Sequence, residues 1–264
     1  MSLKANKLRA KLNDGHLVCG SVIYSWSPAI MDQAGFAGLD FIRIDSEHTW
    51  RQDGAMEDIV RAALAAAVAP VLRVDRENPY LIRKALEIGA EGIIVPDARS
   101  VEDVKDVVRA SKFPPRGIRG YGSNSVAGGW GTEPGLEWVE WSDREPMIGI
   151  MIEHVEVMDC LDDIFAVDGL DFALFGPSDY SMSLGVGTGL GVDDERIVDA
   201  VSKTCAAAKK AGKHVMLGLG MDAATVKRYA DIGVTMMEMG NDAALVREAW
   251  TVAAKTVAAL PGRS

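Results

Sequence analysis

The sequence predicts a (β/α)8 barrel. Eight short aliphatic or β-branched runs alternate with helical patterns along its 264 residues, as a parallel barrel requires. Three of these runs lead into a carboxylate: Asp45 after Leu39-Asp-Phe-Ile-Arg-Ile44, Glu153 after Met147-Ile-Gly-Ile-Met-Ile152, and Asp179 just past Phe172-Ala-Leu-Phe175. Only the C-terminal strand ends of such a barrel face substrate, so residues scattered in sequence converge on one mouth. No Pro/Ser-rich linker or internal repeat divides the chain, and residues 1–264 are expected to form one domain.

Taken in order, strands are expected at 18–24, 41–45, 70–74, 92–96, 147–152, 172–175, 214–218 and 236–239. Helices are expected at 55–67, 79–89, 100–112, 194–212 and 222–233. Ser100, Asp194 and Asp222 open three of them, and Gly89, Gly212 and Gly233 close three, as helix termini prefer. The stretch 113–145 reads as one long irregular loop carrying Trp130, Trp138 and Trp141, and loops of that length are usually functional. Residues 242–259 form a last helix that is apolar on nearly every face (Leu245, Val246, Trp250, Val252, Val257). A helix wetted on one side keeps a polar stripe, so this one is expected to pack under the barrel or, preferably, against a neighbouring subunit.

Bulk composition excludes several classes. A net charge of −10 and no basic stripe argue against nucleic acid. No apolar run approaches bilayer length, and residues 1–15 lack the apolar core of a signal peptide. Cys19, Cys160 and Cys205 are odd in number, far apart and without C-x-x-C spacing, which suits reduced thiols in the cytoplasm.

The candidate chemistry rests on a few charged residues. Glu153 taken alone could be a helix cap, and Asp179 in Gly176-Pro-Ser-Asp179 could belong to a turn. As a pair from successive strand ends, with no Cys and little His nearby, they suit Mg2+, Mn2+ or Co2+ with waters completing the shell. Ser178 and neighbouring backbone N–H groups could receive a substrate carboxylate. His48 stands three residues after Asp45, a spacing that lets the aspartate orient the ring and raise its basicity, although a satisfied structural histidine fits as well. Arg73, inside Val71-Leu-Arg-Val74, must meet an anion if it points inward. His154 points away from Glu153 if the strand continues and reads as structural. The glycine-rich pieces 117–122 and 185–191 do not fit a nucleotide-binding G-x-G-x-x-G, no lysine stands at a strand's C-terminal end for an imine, and no G-x-S-x-G elbow exists.

Ile44-Asp-Ser-Glu-His48, Arg73, Pro115-Arg-Gly-Ile-Arg-Gly-Tyr-Gly122, Ile152-Glu153 and Gly176-Pro-Ser-Asp179, in this order, resemble the class II pyruvate aldolases of the HpcH/HpaI family. The resemblance implies a barrel of the phosphoenolpyruvate/pyruvate type and divalent-metal-dependent cleavage of a 4-hydroxy-2-oxo acid to pyruvate and an aldehyde. It also implies a role in aromatic-compound catabolism and a hexamer, a dimer of trimers with exchanged C-terminal helices. Carried over, Glu153 and Asp179 are the metal ligands, His48 is the base assisted by Asp45, and Arg73 stabilises the transition state. Ser178, Asp179 and Gly176 contact pyruvate. Three positions depart from the family's type member: Met151 replaces Gln, Glu87 replaces the Asp that tunes the histidine, and Gly218 replaces a Leu on the aldehyde side. Two alternatives remain. One is a related metal-dependent lyase for a malate-like or CoA-linked acid, though the basic strand-7 and strand-8 loops it would need are missing; the other is a non-catalytic metal-binding barrel.

Overall fold

In the computed structural model, residues 3–49, 53–76, 78–133 and 135–260 are described. Eight strands close into a barrel in sequence order: β1 (Val18–Ile23), β2 (Phe41–Asp45), β3 (Ala69–Arg73), β4 (Gly92–Val95), β5 (Met147–Ile152), β6 (Phe172–Phe175), β7 (His214–Leu219) and β8 (Met236–Asn241). Every pairing is parallel, and β8 returns to β1 with Met236 opposite Val18. The strands fall where the aliphatic runs do, because each run is too short for a helix and is walled on both sides by apolar partners.

Side-chain alternation divides the core into two layers. One fills the barrel interior, with Phe41, Val71, Ile94, Met147, Phe172, Met216 and Met236; the other lies between sheet and helices. The interior stays close-packed by setting large residues against glycines. A Cβ on Gly20 would sit 2.5 Å from the Phe41 ring, and one on Gly149 would sit 2.4 Å from the Phe172 ring.

The helices are α1 (Lys7–Asn13), α2 (Pro28–Ala37), α3 (Asp53–Ala65), α4 (Pro79–Glu87), α5 (Val101–Ser111), α6 (Leu136–Arg144), α7 (Leu161–Phe165), α8 (Pro177–Ser183), α9 (Glu195–Lys210), α10 (Ala223–Ile232) and α11 (Asp242–Ala258). Helix α1 plugs the N-terminal end of the barrel. Leu8 and Leu12 join the interior layer, and Arg9 forms an ion pair with Asp171 at 2.7 Å.

The stretch 113–145 corrects the expectation of one long loop. Its described residues include a 3-10 turn at Gly129–Gly131 and the nine-residue α6. Among its side chains, Trp138 is fully buried against Phe113 and Tyr121, while Trp130 is exposed. Helix α6 escapes a reading by periodicity because it buries only Trp138 and Ser142. Helices α1, α2, α7 and α8 are likewise short elements beyond the expected set.

Helix α11 leaves the barrel instead of packing under it. Asp242 at its first turn is buried, whereas Trp250, Val252 and Val257 are exposed, Trp250 at 72%. Asp242 ties the helix start to the β1 end by accepting the Tyr24 and Ser25 N–H groups, each at 2.9 Å.

Candidate active site

Adjacent strand ends bring the first charges together, for Asp45 and Arg73 are register partners on β2 and β3. Both point inward and are buried. The Asp45 carboxylate accepts from Arg73 Nη1 at 3.2 Å and from Arg43 Nη1 at 3.0 Å. Arg43 in turn is gripped by Glu238 on β8, through Nε at 2.5 Å and Nη2 at 3.0 Å. The far side of the Arg73 guanidinium is paired with Glu47. A chain Glu238–Arg43–Asp45–Arg73–Glu47 therefore crosses the mouth, alternating in sign so that each buried charge has a partner.

This network corrects the role expected of Asp45. Its other oxygen accepts the backbone N–H groups of Glu47 at 3.1 Å and His48 at 2.9 Å, not the imidazole. An aspartate at a strand-to-loop turn naturally captures the N–H groups two and three residues on, and the two arginines take what remains. Asp45 thus shapes the turn that carries His48. The His48 ring stands exposed at the mouth, with Nε2 3.9 Å from a Glu47 oxygen. Burial pushes the Asp45 carboxyl up, but the His48 N–H and the two guanidiniums outweigh it and hold it below the ordinary range.

Glu47 and Arg43 are site residues that sequence reasoning missed. The signal was present: Glu47 sits inside the Asp45–His48 motif, and Arg43 interrupts an apolar run as Arg73 does. Burial raises the Glu47 carboxyl against the pull of Arg73 and His48, and the fields of Asp45 and Asp179 add to the rise.

Across the mouth, Glu153 follows β5 and is buried. Its Oε1 accepts the Asp97 N–H at 2.5 Å, while Oε2 has no partner among the described residues. Burial raises this carboxyl too; the Asp97 N–H and Arg73 oppose the rise, and Asp179 and Glu47 reinforce it. Gly176 keeps room for the free oxygen, since a Cβ there would lie 3.3 Å from Oε2 and 3.1 Å from the Met151 Cε. Met151 is buried on the same inner face, so it contributes apolar contact where an amide would have donated. Ser178 and Asp179 lie exposed on the first turn of α8, and the Asp179 charge reaches Glu153.

An orphaned, buried carboxylate oxygen in the field of two further carboxylates fits a divalent cation. Among the described residues no three His, Cys, Asp or Glu side chains form a metal cage. Glu153 and Asp179 could thus hold a cation only with water or substrate supplying the remaining ligands, as Mg2+ often requires.

Other expected residues stand elsewhere. His154 turns away from Glu153 and pairs with Asp97, Nε2 to Oδ1 at 2.7 Å. Glu87, at the end of α4, lies 3.9 Å from Arg83 and beside Gly122, on the wall of a lateral cavity of about 500 Å³ that Thr49 and Trp26 also line. Among the described residues of one chain no contact joins Glu87 to His48, so any action of Glu87 on the imidazole would have to come from a neighbouring copy of the chain. Gly218 is on β7, where a Cβ would stand 3.6 Å from Glu238 Oε1.

A closed parallel barrel with an arginine, a histidine and paired carboxylates at its C-terminal mouth is the architecture of a barrel lyase. The HpcH/HpaI aldolase/citrate lyase family model matches residues 22–249, and the chain belongs to that family of class II aldolases. A hydroxypyruvate/pyruvate aldolase from Roseovarius nubinhibens is 29% identical over 251 residues, 94% of this chain and 95% of the relative. A 5-keto-4-deoxy-D-glucarate aldolase from Enterobacter sp. is 29% identical, covering 92% of this chain and 93% of its own. The crystal structure of an HpcH/HpaI aldolase from Desulfitobacterium hafniense superposes with a TM-score of 0.87 at 30% identity, over 99% of this chain and all (100%) of that one.

Proposed function

We propose that the protein reversibly cleaves a 4-hydroxy-2-oxo acid to pyruvate and an aldehyde, with Mg2+, Mn2+ or Co2+ held by Glu153 and Asp179. The observation that carries this reading is the buried Glu153 Oε2, unpartnered among the described residues and facing the same mouth as Arg73 and His48. A bound divalent cation supplies Lewis acidity toward the 2-oxo group. His48 takes the proton from the 4-hydroxyl as the C3–C4 bond breaks and the aldehyde leaves. Arg73, braced by Asp45 and Glu47, faces the negative charge that develops on the departing pyruvate enolate. Ser178, with Gly176 and Met151 on the adjoining wall, receives the pyruvate end. Protonation at C3 completes pyruvate, and aldol addition runs the same steps backward.

The test is pyruvate release over a panel of 4-hydroxy-2-oxo acids that spans small hydroxylated aldehydes, sugar-acid aldehydes and the aldehydes of aromatic-compound catabolism. The name of the 5-keto-4-deoxy-D-glucarate aldolases among the relatives favours the sugar-acid group. Release from at least one member, without borohydride inactivation in the presence of pyruvate, supports the reading; release from none, or imine trapping, refutes it.

Arg73→Lys is expected to fail to rescue what Arg73→Ala loses. Lysine keeps the charge but offers no fork that two carboxylates can brace. Removing one preorganised oxyanion donor costs about 10²–10³ in turnover. Both variants should lose at least ~100-fold in kcat, with cation affinity nearly unchanged. A folded Arg73→Lys enzyme of near-normal turnover would make Arg73 merely a partner for Asp45.

The proposal extends to assembly and location. The exposed apolar side of α11 fits burial against a second copy of the chain in a hexamer, a dimer of trimers. Among the described residues no helix is long and apolar enough to cross a membrane, and the three cysteines are free thiols, which suits the cytoplasm. Deleting the residues after Asn241 should shift the protein to smaller or aggregated species in light scattering. A monodisperse truncated protein of unchanged mass per particle, less the deleted residues, would contradict the assembly.

A further inference from the structure

Glu153 has two carboxylate oxygens, and only one is without a partner among the described residues. The other is held by a backbone N–H from across the β4–β5 strand ends, that of Asp97, at 2.5 Å. Asp97 adopts φ +57, a left-handed conformation that non-glycine residues rarely take and that Asp and Asn tolerate best. Strain of this kind persists only where the surroundings impose it.

Here they do so from three directions. The Asp97 carbonyl accepts from Arg76 Nη1. Its carboxylate is paired with His154 Nε2 at 2.7 Å and with Arg99 Nε at 2.9 Å. Arg76 is itself anchored, through Nη2, to Asp103 on α5. Glu153 and His154 are consecutive and lie on opposite sides of the β5 end. One strand tip therefore grips residue 97 by its main chain and its side chain together.

We infer that Asp97 is a positioning residue: its left-handed backbone occupies Glu153 Oε1, so that Oε2 alone is presented to a divalent cation. His154 and Arg99 serve this geometry by locking the Asp97 side chain. The inference rests on the reading of Glu153 as a cation ligand. Groups that orient a metal ligand from behind typically change affinity or activity about 10–100-fold when lost.

Calorimetric titration of Mn2+ into the purified full chain tests it, using Glu153→Gln, Asp97→Ala, Asp97→Asn and His154→Ala. Glu153→Gln should abolish measurable binding. Asp97→Ala and His154→Ala should weaken it by about 10–100-fold, with turnover recovering at saturating Mn2+. Asp97→Asn, which tolerates the same backbone and keeps an acceptor oxygen, should bind near the wild-type level. Wild-type affinity in a folded Asp97→Ala, or an Asp97→Asn as weak as the alanine variant, overturns the positioning role. If Asp97→Ala does not fold, His154→Ala decides alone, and unchanged affinity there overturns it. Wild-type binding by Glu153→Gln would instead refute the cation-ligand reading itself, so the two failures are distinguishable.

Discussion

Chelation with EDTA is expected to abolish pyruvate release, and Mn2+, Co2+ or Mg2+ to restore it. The same loss is expected from Glu153→Gln, a substitution that keeps side-chain shape while removing the charge. The reason lies in the cost of the native arrangement. Glu153 is buried with one oxygen unpartnered among the described residues, in the field of Asp179 and Glu47, and burial pushes its carboxyl up. A group left so is unfavourable to the fold unless a cation offsets it. Glu153→Gln relieves that repulsion, so the variant should melt no lower than the wild type in the absence of metal while losing turnover. Thermal melts with and without Mn2+, alongside the pyruvate assay, check both halves. An EDTA-treated enzyme of full activity, or a Glu153→Gln variant that still turns over normally, would remove the cation from the mechanism.

His48→Ala should reduce kcat by about 10²–10⁴, the usual contribution of a general base, and leave Mn2+ affinity nearly unchanged. The imidazole is exposed at the mouth and its ring bonds no backbone group among the described residues; the turn that carries it is held by Asp45 instead. Removing the ring therefore leaves Asp45, Arg43 and Arg73 in place, and stability should barely move. This separation makes the experiment sharp, because the structural alternative predicts the reverse: a lower melting temperature with turnover intact. Stopped-assay kinetics and melts on one preparation distinguish them. Asp45→Ala, by contrast, would strip Arg43 and Arg73 of a shared partner and should damage fold and turnover together.

Much of the barrel and part of the mouth were legible in the residue order. Strand β5, Met147–Ile152, is six apolar or glycine residues closed by Glu153, and any parallel barrel must place that carboxylate near the mouth. Arg73 announced itself as a charge at the close of an apolar strand, and it is indeed buried and paired. Signals of this sort come from neighbouring residues and periodicity, so they survive without knowledge of the fold. Helix α6 did not give one, since nine residues with two buried side chains carry too little period to stand out from a glycine-rich loop.

What tertiary structure decided was which charge meets which. Arg43 and Glu238 pair across 195 positions because β8 closes on β1 next to β2, and nothing local in either strand specifies that. Glu47 rather than Asp45 stands beside the His48 ring because the turn after β2 folds its N–H groups onto Asp45. Glu153 Oε1 is occupied because Asp97, 56 positions earlier, takes a left-handed conformation held by Arg76, Arg99 and His154. The sequence by itself determined the strands, their order and the residue types delivered to their ends, since these follow from local pattern. Closure of the barrel determined their pairings, because the energy of a buried charge depends on partners that only the closed sheet brings within hydrogen-bonding distance.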